Sequence, residues 1–499
     1  MYRKANQNQL TFEDFHLPFG GHLCGNNRWV ILSEQIPWQQ IEEAYGQHFC
    51  QDNGSPAKTA RIALGALIIK ERLGTSDRET VEQIRENPYL QYFLGLMEYQ
   101  DTPPFDHSMM THFRKRFDED MLNSINESIV QGVMEQDGEH KDIDDSDKGQ
   151  VPDDQRDSAS HKGKMIVDAT CTPADIAYPT DLTLLNEARQ KTEEIIDTMH
   201  APFMGVRKKP RTYRQKARKA YLAVAKQKKP GHKKIRKAIG QQLRYLKRNL
   251  GYIDRMAGVG SLKFLDKRLY RLLLVIKELY RQQYWMYENR THKVSDRIVS
   301  LYQPHVRPMV RGKAKSPVEF GAKVSISLVD GFSFVEKIGW DAYNESCDLI
   351  GQIERYHKRF GFYPASVHVD KIYRTRQNRR YCKAKGIRLS GPPLGRPIDE
   401  TELLKEQRKL QHQDEIDRIA VEGKFGQGKR RFSLGRVMTK LAQTSEVSIV
   451  VAFIVMNLEK ILSGVISFLF FVWKWLLERP RLKDMRRQNQ VPTVLKTAA

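Results

Sequence analysis

Residues 137–164, DGEHKDIDDSDKGQVPDDQRDSASHKGK, constrain this chain more than any other stretch, with nine acidic residues, one Ile, one Val and no aromatic side chain. A segment of that composition cannot bury enough apolar surface to offset the entropy of ordering it. It reads as an acidic, disordered linker and divides the chain into separate folding units. The length agrees, since 499 residues exceed what one compact core usually takes in. The expected organisation is a helical N-terminal domain over 1–136, the linker over 137–164, a second domain over 165–464, and a tail over 465–499 with no assigned role.

The N-terminal region has helix punctuation. ARIALGALIIKERL predicts a helix over 60–73 ending at Gly74, and Ser76 with Glu79 three residues on forms a capping box for the next. A last helix after Ser108 carries Arg114, Lys115 and Arg116 between Phe113 and Phe117. Short helices ending in a basic one suit a helix-turn-helix-like DNA reader, and equally a bundle with a solvated basic face.

Lys and Arg outnumber Asp and Glu by 83 to 60, a net +23, which calls for a polyanionic partner. The surplus is concentrated. Between Arg207 and Arg248 there are 18 Lys or Arg in 42 residues and no acidic residue, with Tyr213, Tyr221 and Tyr245 interleaved. A run without acidic relief repels itself unless an anion lies against it, so Arg207, Lys208, Lys209, Lys228, Lys229, Lys233 and Lys234 are candidate phosphate contacts. Ile235, Ile239, Leu243 and Leu246 keep helical spacing within it. The five cysteines form no C-x-x-C pair and fit a reducing cytoplasm, and MYRKANQNQLTFEDF lacks a signal-peptide core. The apolar runs 449–458 and 461–473 are broken by Glu459-Lys460, and neither reaches the roughly 20 residues of a membrane span. They read as buried core, and no membrane partner is expected.

The second domain alternates strand and helix patterns. MIVDAT is a strand placing Asp168 near its end; AKVSISLVD and FSFVEKIGW form a hairpin about Gly331; a helix follows with Leu349, Ile353, Tyr356 and Phe360 on one stripe; SVHVD is a strand ending in Asp370. That order, with a basic helical insertion over about 182–300 after the first strand, is the order of a ribonuclease-H-like α/β domain. Carboxylates at the ends of adjacent strands meet in space. Together they can hold Mg²⁺, and two such ions about 4 Å apart clamp the oxygens of an in-line phosphoryl displacement. In DRIAVEGKFGQGKRR, offsets of four and seven put Arg418, Glu422 and Lys429 on one helical stripe, a carboxylate between two cations. Gly423, Gly426 and Gly428 weaken that helix and predict a break before Lys429.

This segment resembles the Y-x2-R-x3-E-x6-K signature of bacterial insertion-sequence transposases of the DDE class, of the insertion sequence 5 type. Arg418, Glu422 and Lys429 match, while position 415, the tyrosine slot, is Glu. The resemblance runs from about His16 to Leu462 and includes LPFGG, ENPYLQYFLGL, FRKRF, VDATCTPADIAYPTDLTLLNEAR, EFGAK, DKIYRTRQNRRYC, LSGPPLGRP and VMNLEK. It implies a DDE triad of Asp168, Asp370 and Glu422 binding two Mg²⁺, with Mn²⁺ as a substitute, on a ribonuclease-H-like catalytic domain preceded by an all-α DNA-binding domain. Arg418 and Lys429 would support the phosphates. The partners implied are the element's terminal inverted repeats, target DNA and a second copy of the chain, at the nucleoid of a bacterial cytoplasm. Three other readings compete: a DNA-binding protein with a decayed site, for which Glu415 speaks; a nuclease that never joins strands; and, resting on the C-terminal apolar runs alone, a membrane-associated basic protein.

Overall fold

The computed structural model describes residues 11–47, 49, 56–144, 161–310, 318–391 and 402–478. The chain opens on helices α1 (Arg28–Gln35), α2 (Trp38–Gly46), α3 (Ala60–Leu73), α4 (Asp77–Glu86), α5 (Pro88–Phe93), α6 (Met109–Arg116) and α7 (Glu119–Asp144). Their starts follow from local chemistry. Asn27, Thr59, Ser76 and Asn87 each accept a hydrogen bond from a first-turn N–H, and the Ser76 bond comes from Glu79 N as the capping box requires. Helix α7 continues to Asp144, eight residues into the segment read as linker; residues 145–160 lie outside the described residues.

Strand β1 (Lys164–Pro173) is followed by four helices, α8 (Asp181–His200), α9 (Arg214–Ala225), α10 (His232–Gly258) and α11 (Lys267–Glu288). They close on a core of their own, with Leu185, Ile195, Leu246, Ile253, Ile276 and Leu279 at its centre. The helical insertion is thus a packed unit, because α10 keeps an apolar stripe beneath its lysines.

The chain then returns to the sheet through β2 (Arg307–Val310), β3 (Val318–Val329), β4 (Phe332–Gly339), α12 (Leu349–Phe360), β5 (Ser366–His368), α13 (Arg376–Ala384) and β6 (Arg388–Leu389). Strand order is β2-β3-β1-β5-β6, with β4 also paired to β3. The β1–β3, β2–β3 and β3–β4 pairs are antiparallel, and β1–β5 and β5–β6 are parallel. The β3–β4 hairpin turns at Asp330 and Gly331, both at positive φ (47° and 78°), the pair of angles that lets a two-residue loop follow the strand twist. Strand β2 falls in a stretch whose prolines hide any alternation. The architecture is mixed α/β.

The last elements among the described residues are helices α14 (Glu402–Arg431) and α15 (Ala442–Glu478). Its 442–465 portion is long and apolar enough to cross a membrane by composition, with mean hydropathy 1.8, yet 72% of that window is buried inside the protein. Val447 to Leu462 pack between α3, α6, α7 and β4. The charges that interrupt the run are absorbed by neighbours: Glu459 pairs with Arg72 and, at 3.3 Å, with Arg431, while Lys460 binds the carbonyl of Asp330 and stands 3.7 Å over the Phe332 ring. One continuous core therefore joins the N-terminal helices to the sheet through α15. Residues 479–499, most of the tail, lie outside the described residues.

Candidate active site

Asp168 is the fifth of ten residues in β1 and not near its end as expected. The strand runs on because β3 pairs with it as far as Pro173. On its other side β1 pairs with the short β5, and the last matched pair is Ile166 with His368. Two residues further along each chain stand Asp168 and Asp370. The parallel register thus brings level two carboxylates that are 202 positions apart (370 minus 168). Each accepts a hydrogen bond from the next backbone N–H: Asp168 Oδ1 from Ala169 at 2.8 Å, and Asp370 Oδ1 from Lys371 at 2.7 Å.

Their environments differ. Asp370 is exposed, and the Arg418 guanidinium lies 3.6 Å from its Oδ1. Asp168 is half-buried, and burial pushes its carboxyl up to about 6. Glu345 and Asp370 add to that shift, while the Ala169 N–H and Arg418 oppose it. Excess negative charge at this point is what an oxygen-seeking cation relieves, and the donor set is all carboxylate.

Helix α14 crosses β1 and β5 and carries Arg418, Glu422 and Lys429. It stays helical through Gly423, Gly426 and Gly428 to Arg431, so the expected break before Lys429 does not occur. Val421, Phe425 and Gly428 are buried against the core, and that packing outweighs the glycine penalty. Arg418 and Lys429 are half-buried, and Glu422, one turn beyond Arg418, is exposed. Glu415, in the tyrosine slot, is also exposed.

Two neighbours escaped the sequence reading. Glu345 precedes α12 and pairs with Lys323 of β3 at 2.7 Å. Tyr373 follows Asp370 in a 3-10 turn, is wholly buried, and has a hydroxyl raised by burial and by the nearby Glu345 and Asp168. No spacing rule joins positions 168, 345 and 373; their shared tertiary neighbourhood does.

A second acidic group lies along α14. His368, Asp414 and Asp417 offer ligand atoms within 4.8 Å of one another. Its carboxylates are already met by cations, Asp414 by Arg388 at 2.7 Å and Asp417 by Lys164 at 2.6 Å, which suits a metal ion less well than the Asp168–Asp370 pair.

The basic candidates divide. Arg114 is buried and paired through both guanidinium nitrogens with Asp77, so it ties α6 to α4; the FRKRF pattern could not show that partner. Arg116 is half-buried, 3.5 Å from the Tyr45 hydroxyl and 5.2 Å from the Phe49 ring centre. Lys115 is exposed. Arg207, Lys208, Lys209, Lys228, Lys229, Lys233 and Lys234 are all exposed on the helical insertion, with Lys209 2.6 Å from Asp197.

Residues 367–459 match a family model described as "Transposase DDE domain", which spans Asp370, Arg418, Glu422 and Lys429. Residues 19–116 match one described as "Transposase domain". The chain is 32% identical over 163 residues to "Uncharacterized protein ORF8 in nfe locus" of Rhizobium meliloti, covering 32% of this chain and 69% of that protein. No solved structure matches. With both family models in their expected order on either side of β1, the chain belongs to the insertion-sequence transposases that carry a DDE domain.

Proposed function

We propose that this chain cuts the ends of its element and joins them to target DNA at a carboxylate triad of Asp168, Asp370 and Glu422. The observation that carries the reading is the β1–β5 register, which sets Asp168 level with Asp370, with Arg418 of α14 at 3.6 Å. Strand order β4-β3-β1-β5-β6, antiparallel through the first three and parallel through the last three, supports a ribonuclease-H-like catalytic domain over 165–464 interrupted by the basic helices.

Asp168, Asp370 and Glu422 would hold two Mg²⁺, or Mn²⁺ in their place. Bound there, the ions supply an activated nucleophile and charge stabilisation for in-line displacement at phosphorus. The protein's own groups do the rest. Arg418 and Lys429 place positive charge along the stripe where phosphate oxygens gain charge. Tyr373, with its hydroxyl raised, stays protonated near Asp168 and adds no further negative charge. The N-terminal helices, through Lys115, and the lysines of α10 and the α9–α10 connection would bind DNA backbone. A second copy of the chain would bring the paired ends together.

Incubation with Mg²⁺ and DNA bearing the element's terminal inverted repeats tests the reading. Asp168→Ala is expected to bind that DNA as the wild type does and to lose cleavage by on the order of 10³-fold. Equal cleavage by both proteins would sink the triad. Hydrolysis without strand joining would make the chain a nuclease.

A further inference from the structure

Helix α14 carries Arg418, Glu422 and Lys429, so its axial position decides whether those side chains meet Asp370 and Asp168. Apolar packing does not set that position where Arg418 stands. From Arg408 to Ala420 no apolar side chain of α14 is buried; Leu410, Ile416 and Ile419 face solvent, and apolar burial resumes only at Val421 and Phe425. The buried residue of that stretch is Asp414, 4% exposed.

Asp414 is gripped from the sheet. Arg388 of β6 donates to both its oxygens, at 2.7 and 2.9 Å. His368 of β5, 0% exposed, lies beneath with Nδ1 3.5 Å from Asp414 Oδ1 and 3.9 Å from Asp417 Oδ2, and with Nε2 2.9 Å from Ser366 Oγ. Lys164 of β1 donates to Asp417 at 2.6 Å. Three strands thus hold one turn of helix, 414–417, immediately before Arg418.

We infer that Asp414, with His368 and Arg388, is a polar clamp that sets the register of α14 along β5 and thereby places Arg418 and Glu422 at the carboxylate site. The inference rests on the proposed triad. A slip of one residue moves a helix by about 1.5 Å and turns it by about 100°. Displacements of about 1 Å at a catalytic group cost on the order of 10²-fold in rate. A two-pronged arginine–carboxylate contact fixes direction as well as distance, which isolated apolar contacts do not. The rival use of these side chains is a bound divalent ion, which would have to displace Arg388 and Lys164.

The test compares end cleavage by wild type, Asp414→Asn, Arg388→Ala and the double variant, well below the lowest melting temperature of the set. Expected is a roughly 10- to 100-fold fall in kcat with the KM for DNA unchanged. The Mn²⁺ concentration giving half the maximal rate should rise, and the double variant should be no slower than the poorer single. If Asp414→Asn does not fold, Lys164→Met, at a side chain 55% exposed, should show the same direction more weakly. Wild-type rates in folded clamp variants, beside an inactive Asp168→Ala, would overturn the clamp alone. An Asp168→Ala protein that cleaves normally would overturn the triad beneath it. Calorimetric titration of Mn²⁺ or Zn²⁺ into Asp168→Ala, showing an ion lost on adding His368→Ala, would reassign the trio as a metal site.

Discussion

Glu119 opens α7 with its carboxyl packed near Glu446 and Asp120, and burial foremost, with those two charges, pushes it up to about 7. Below about pH 4.5 the group is neutral in folded and unfolded chains alike. As pH rises towards 7 the unfolded chain releases its proton first, so stability falls across that window and levels off above it. Glu119→Gln should therefore melt a few degrees higher than wild type at pH 8 and at the same temperature near pH 4.5. Coincident melting curves at pH 8 would remove the strain from Glu119. Asp168 is raised for the same first reason, burial, and it lies level with Asp370 at the proposed site. At this scale the residue types were readable and their surroundings were not: Arg114 looked like a DNA contact in FRKRF until Asp77, 37 positions earlier, claimed it.

Among elements, those set by neighbours in sequence were readable. The 60–73 helix, the Ser76 cap, the Asp330-Gly331 hairpin and the 349–360 helix follow from spacing, capping and turn chemistry that act within a few residues. Helix α14 shows where such rules end. Its glycines count against it locally, and its contacts to the sheet and α15 restore it. The glycines are not equivalent. A Cβ at Gly423 meets nothing within 4 Å, so Gly423→Ala should stabilise by about 0.5–1 kcal/mol in denaturant unfolding. A Cβ at Gly428 would lie 2.6 Å from Leu434 Cδ1, so Gly428→Ala should destabilise by about 1–3 kcal/mol. Opposite signs would mean that α14 is not packed as described.

Across the whole molecule the N-terminal helices and the sheet domain are joined at a buried polar knot. Asn457 of α15 donates to Asn126 Oδ1 of α7 and to the Ser333 carbonyl of β4, both at 2.8 Å, and accepts from Ser333 N at 2.8 Å. Asn457→Leu strands these partners without water. It should cost about 2–4 kcal/mol and lower the melting of both halves together. Separate transitions would show two independent domains. The insertion, with its own core, presents its lysines outward. Replacing Lys228, Lys229, Lys233 and Lys234 by Gln should flatten the salt dependence of DNA affinity by about one logarithmic unit of slope per lysine that touches phosphate. An unchanged slope would return those lysines to solvent.

By itself the sequence determined the charge excess, the basic helices, the hairpin and the Arg418–Glu422–Lys429 stripe, because each depends on composition or on residues a turn apart. Tertiary structure alone decided that Asp168 lies level with Asp370, that Glu345 and Tyr373 surround them, that α15 is spent on the core, and that α14 is held by Asp414. Those outcomes depend on strand register and packing between segments tens to hundreds of positions apart, which local rules do not reach.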